Sequence, residues 1–118
     1  MTVGDPSEMD ALEVVMKARF DGRLYIAKSL PHFLEFAAPE VTKAAGVAFV
    51  AERLGFSREG TVAFGDGEND VELLEWAGYS VAVANAHRRV LGAADFICPS
   101  VDEEGVAQVI EGLLDSRA

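Results

Sequence analysis

A single cysteine, Cys98, stands in the 118 residues. No internal disulfide can staple the chain and no thiolate cage can hold a metal, and a reducing cytoplasm suits it best. Apolar runs fall far short of the ~20 residues needed to cross a bilayer, so no transmembrane helix is expected. The opening Met1-Thr2-Val3-Gly4-Asp5-Pro6 has neither a base nor an apolar stretch and does not read as a signal peptide. Positive charge is scarce as well. Ten Lys and Arg face twenty Asp and Glu, a net charge of −10. Binding to a nucleic-acid backbone needs clustered bases, so no nucleic-acid partner is expected.

What remains is ordinary globular material, half hydrophobic and a quarter charged. That composition excludes a disordered, collagenous or low-complexity chain. The length is that of one modest domain, able to bury ~65% of its surface on folding. The charges are unevenly placed. Between Arg58 and Arg88 no Lys or Arg occurs, while Glu59, Asp66, Glu68, Asp70, Glu72 and Glu75 all fall there. The plain reading is a solvated acidic surface; the sharper one is that some of these carboxylates hold a cation.

The hydrophobic spacing predicts alternating helices and strands, with a change of style near residue 40. Asp5-Pro6-Ser7 starts a helix on which Met9, Leu12, Val15 and Met16 recur up to about Phe20. Asp21-Gly22 is a turn. Leu24-Tyr25-Ile26-Ala27 and Phe33-Leu34-Glu35-Phe36 read as two short strands around Pro31. A helix follows from about Thr42 to Leu54, closed by Gly55. Then come strand Thr61-Val62-Ala63-Phe64, a helix from Asn69 to about Ala77, and strand Ser80-Val81-Ala82-Val83. A short helix near His87, strand Asp95-Phe96-Ile97-Cys98 and a helix from Glu103 to Leu114 complete the chain. Apolar strands separated by helices imply an α/β fold with a parallel sheet covered on both faces. Residues 40–118 supply only about three strands, and residues 1–39 look like the end of something else. The chain reads as two partial domains, residues 1–39 and 40–118.

The most informative stretch is Phe64-Gly65-Asp66-Gly67-Glu68-Asn69-Asp70. Ligands of open α/β sheets bind outside the carboxyl ends of strands, where this loop falls. Two glycines present Asp66 just beyond the strand, and Asp70 follows on the first helical turn. Two such carboxylates suit a hard, oxygen-seeking cation such as Mg2+. Three rival motifs fail on the same residues. A dinucleotide fingerprint needs a third glycine where Asp70 stands. A calcium loop needs Gly at Val71 and Glu at Ala77. A Walker loop needs Gly-Lys-Ser/Thr, which is absent. The structural alternative has Asn69 capping the helix, with Glu72 completing a capping box. Lys43, the only cation between Lys28 and Arg53, opens the preceding helix. In a βαβ layout it can converge on this loop, screen a carboxylate cluster and contact a phosphoryl oxygen. Taken alone, it reads as a surface lysine.

Lys43 with its helix, then Gly65-Asp66-Gly67-Glu68-Asn69-Asp70, then Ala77-Gly78-Tyr79-Ser80-Val81-Ala82-Val83-Ala84-Asn85-Ala86, resembles the C-terminal part of the haloacid dehalogenase (HAD) superfamily. The pattern is most similar to the Cof-type, class IIB sugar-phosphate phosphatases, over about residues 24–113. The resemblance implies the C-terminal half of a Rossmann-like core for residues 40–118, preceded by the tail of an α/β cap domain in residues 1–39. It assigns Lys43 to the phosphate-contacting lysine, Asp66 to a Mg2+ ligand and Asn69 to a contact with substrate phosphate. Asp70 would support the metal, through water or by holding Lys43. The implied reaction is hydrolysis of a small phosphorylated metabolite through an aspartyl-phosphate.

The family's nucleophile motif, Asp-x-Asp-x-Thr, does not occur in these residues, nor does its Ser/Thr motif at a strand end. The residues alone are therefore expected to be inactive as a covalent catalyst. Either they are the C-terminal portion of a Mg2+-dependent phosphatase, or they form a non-catalytic binding or assembly module that kept part of the fold. Self-association, or pairing with a missing N-terminal half, is expected of such a half-sheet. His32 and His87 lack a metal-ligand neighbour at i+4 and are read as uninvolved, and Trp76 as packing.

Overall fold

A computed structural model describes residues 1–116. The elements run β1 (Thr2–Val3), α1 (Pro6–Phe20), β2 (Tyr25–Leu30), β3 (Phe33–Ala37), α2 (Lys43–Leu54), β4 (Val62–Gly65), α3 (Val71–Trp76), β5 (Tyr79–Val83), α4 (Arg88–Ala93), β6 (Phe96–Cys98) and α5 (Gly105–Asp115). They build two three-stranded sheets, one antiparallel and one parallel.

The antiparallel sheet has the order β1-β3-β2. Pro31 cannot donate to a ladder, and it sits with His32 at the bend between β2 and β3. Proline at the first helical positions starts α1, and Asp21 in the left-handed region ends it. The helix lays Met9, Leu12, Met16 and Phe20 on Ile26, Leu34 and Phe36 of one sheet face. Strand β1 was not foreseen, because two residues carry no periodicity; its place is set by pairing with Phe33 and Leu34.

The parallel sheet has the order β4-β5-β6. Its strands alternate: Ala63 and Ala82 point to one side with α3 and α4, where Val71, Leu74 and Val90 complete a core. Val62, Phe64, Val81, Val83 and Cys98 point to the other, where Val106 and Val109 of α5 meet them. Small alanines on the first face let two short helices approach closely. Among the described residues one helix, α5, covers the second face, which is thinner than the full double cover the apolar strands imply. Helix α2 packs outside α3 and brings Lys43 to the carboxyl end of β4.

Candidate active site

Strand β4 ends at Gly65, and the chain enters a 3-10 turn, Glu68–Asp70, that feeds α3. Asp70 builds this loop. Its Oδ2 accepts the backbone N–H groups of Asp66 at 3.0 Å and of Gly67 at 3.1 Å. Those donors would otherwise be unpaired at a helix start. Close approach requires glycine here, since a Cβ on Gly65 would lie 2.8 Å from the Asp70 Cβ. The capping alternative is thereby corrected. The carboxylate of Asp70, not the amide of Asn69, closes the loop, and Glu72 accepts the Tyr25 hydroxyl at 3.1 Å.

Thr42 caps α2, its Oγ1 accepting from Ala45 N at 3.1 Å, so Lys43 is the first helical residue. The Lys43 Nζ donates to Asp70 Oδ1 at 2.5 Å. Burial works to raise the Asp70 carboxyl, but the Lys43 bond, the two backbone donors and the Lys43 charge outweigh it. They hold the group below its ordinary value. Asp70 is thus a buried, ionised carboxylate whose oxygens are already engaged.

Asp66 is placed differently. Its backbone is pinned: the N–H goes to Asp70 and the carbonyl accepts from His87 N at 2.8 Å. Its side chain is exposed, and it lines an open hollow with Lys43, Gly65 and Asp70. Asn69 is half-buried and lines a neighbouring hollow with Lys43, Thr42 and Tyr25. Lys43 therefore stands between the two, and all four residues singled out in the sequence surround one strand end. Among the described residues no group of three or more His, Cys, Asp or Glu converges as a metal cage. The donor set still suits Mg2+ as one face of a site. That ion keeps several waters and takes one or two carboxylates; Asp66 would be the residue to hold it directly, with Asp70 behind.

Sequence reasoning missed Glu68, which it left to solvated surface. The residue is 5% exposed. Lys17 Nζ of α1 donates to its Oε1 at 3.1 Å, Arg89 Nη1 lies 3.7 Å from Oε1, and His87 Nε2 lies 3.7 Å from Oε2. Burial acts to raise the Glu68 carboxyl. Hydrogen bonds from Glu13 and Lys17, with the charges of Lys17 and Arg89, bring it below its ordinary value. Glu13 moves the other way: burial, then the bond to Glu68 and its charge, push it up to about 7. No local signal marks Glu68, because Lys17 stands 51 residues away. His87, read without a catalytic or metal role, has a structural one: it caps α4 through Nδ1, and its backbone N–H donates to the Asp66 carbonyl.

Comparison with known proteins gives concordant results. A family model, haloacid dehalogenase-like hydrolase, matches residues 1–110. The 5-amino-6-(5-phospho-D-ribitylamino)uracil phosphatase YcsE of Bacillus subtilis is 40% identical over 98 residues, covering 83% of this chain and 39% of the relative. A haloacid dehalogenase-like hydrolase from Bacteroides thetaiotaomicron superposes with a TM-score of 0.70 at 37% identity, covering 94% of this chain and 42% of that one. The HAD subclass IIB sugar phosphatase BT4131 superposes at 0.77 and 29% identity, covering 86% and 40%. The chain thus spans about two fifths of the length of each of these three relatives.

Proposed function

The chain belongs to the haloacid dehalogenase-like hydrolases, among the Cof-type, class IIB members, and from that premise we propose that it supplies the lysine and metal-binding side of a Mg2+-dependent phosphatase. The substrate is a small phosphomonoester, a sugar phosphate or a similar metabolite. In this reading residues 1–39 are the tail of a cap domain and residues 40–118 the C-terminal half of the core. The nucleophilic aspartate, whose aspartyl-phosphate is hydrolysed in the second half of the reaction, lies outside these 118 residues.

One observation carries the reading: the Lys43 ammonium rests on buried Asp70, beside the open carboxylate of Asp66, at the carboxyl end of a parallel strand. Asp70 fixes the lysine and closes the loop, so a positive charge is held at a set position before any ligand arrives. Lys43 contacts a phosphoryl oxygen, and the Asn69 amide donates to another. Asp66 holds Mg2+, which when bound neutralises charge on the transferring phosphoryl group.

The test is an assay with Mg2+ and a panel of phosphomonoesters, using the chain alone and mixed with a matching N-terminal half that carries Asp-x-Asp-x-Thr. Turnover is expected only from the mixture, and Asp66→Ala and Lys43→Ala each lower it by ~10²-fold or more. Turnover that survives Asp66→Ala sinks the site assignment. Absence of turnover with any matched half favours a non-catalytic binding or assembly module.

A further inference from the structure

We propose that Glu68 is a positioning residue, a buried ionic latch through which the α1–hairpin unit sets the geometry of the Asp66–Asp70 loop. The loop does not need this carboxylate for its own closure, because Asp70 alone takes the backbone donors of Asp66 and Gly67. A glutamate with no further task would point to water. Instead its side chain is 4% exposed and is reached from two directions. Lys17 comes from α1, while His87 and Arg89 come from the start of α4. Glu13 shares in the same charge cluster, its Oε2 lying 3.6 Å from Lys17 Nζ.

The neighbouring contacts run along the same seam. Tyr25 of β2 donates to Glu72, and the Ser29 carbonyl lies 3.5 Å from where a Cβ on Gly67 would stand. Glu68 is two residues from Asp66 and two from Asp70, inside a single 3-10 turn. A displacement of Glu68 is therefore transmitted to both. Removing its charge leaves Lys17 and Arg89 facing a neutral group, which weakens the seam where the hairpin unit meets the functional loop. The metal consequence rests on the reading of Asp66 given above; the docking consequence does not.

The experiment uses the full chain with spin labels at Ala18→Cys and Glu111→Cys, both exposed positions on α1 and α5. The distance distribution between them is recorded, and Mn2+ affinity is measured in parallel as a probe for the Mg2+ site. The unmodified loop gives one narrow distribution. Glu68→Gln and Lys17→Met each broaden it and weaken Mn2+ binding by about tenfold, as loss of a group supporting a metal ligand does. Lys17→Arg restores both readouts, and Asp10→Asn, which cuts the Lys28 pair within the hairpin unit, alters neither. If Glu68→Gln fails to fold by circular dichroism, the half-exposed Lys17→Met decides. Folded variants with the original distribution overturn the latch, whatever Mn2+ does. If Mn2+ does not bind the unmodified chain, the metal reading fails and the distances alone judge the latch.

Discussion

Asp70 and Glu68 stand two positions apart in one turn, yet the fold gives them separate tasks through the same physics. Each is buried, and each is kept ionised by a lysine from a distant element, Lys43 or Lys17. Glu13 is the counterexample, because its cation is shared and its neighbour is an anion. Its carboxyl is raised from 4.5 to about 7 by burial and by Glu68. The sign follows: the folded chain holds this proton more tightly than the unfolded one. The associated stability is full below pH 4.5 and is lost as pH rises through about 7. Asp70 and Glu68, shifted downward, contribute in the opposite sense and lose their share as acid protonates them. Glu13→Gln should therefore flatten the fall in stability between pH 5 and 8. At pH 8 it should stabilise the chain by roughly 1 kcal/mol, after discounting for partial exposure. Urea denaturation at the two pH values measures this; an unchanged slope assigns the effect elsewhere.

At the scale of elements, the strand–loop–helix that carries the site was readable because its signals are local. Gly65 and Gly67 bracket Asp66, Thr42 caps the helix of Lys43, and Gly55 ends it in the left-handed region. Helix starts were less readable where the cap comes from geometry, as at α3, whose entry is a 3-10 turn closed by Asp70. Helix α5 depends on a contact of another sort. Gly105 begins it, and a Cβ there would lie 1.8 Å from the Pro99 carbonyl oxygen and 3.0 Å from Cys98 Sγ. Backbone cannot yield as a flexible side chain does. Gly105→Ala should cost about 3 kcal/mol by overpacking, read as a lower midpoint in thermal unfolding. A midpoint equal to that of the unmodified chain would mean the α5 junction is free to shift.

For the whole molecule, the radius of gyration is 15.7 Å, against about 13.5 Å for a compact chain of this length. The excess matches an extent of 51 Å along the longest axis and 19 Å along the shortest. Strand β4 pairs only with β5, leaving one edge of the parallel sheet without a ladder partner among the described residues. Phe49, Val50, Leu54 and Phe56 in and just after α2 are all exposed, Leu54 and Phe56 by 64%. Apolar groups grouped in this way, together with an open strand edge, favour association. Sedimentation equilibrium should show mass rising with protein concentration. Phe49→Lys with Leu54→Lys should shift the balance toward monomer. A monomer of fixed mass up to high concentration would refute the association.

By itself the sequence determined the order and kind of nearly every element. It also determined the loop on which Asp66 and Asp70 lie. Those features rest on periodicity, turn residues and capping, which act over a few positions. Which carboxylate would be open and which engaged was decided by tertiary structure. The choice depends on a lysine 27 residues before Asp70 and another 51 residues before Glu68. The burial of Glu68 and the raised proton affinity of Glu13 arise only when α1, α4 and the 3-10 turn are packed together. Charge in a low-dielectric seam is governed by neighbours in space, and those neighbours are supplied by the fold.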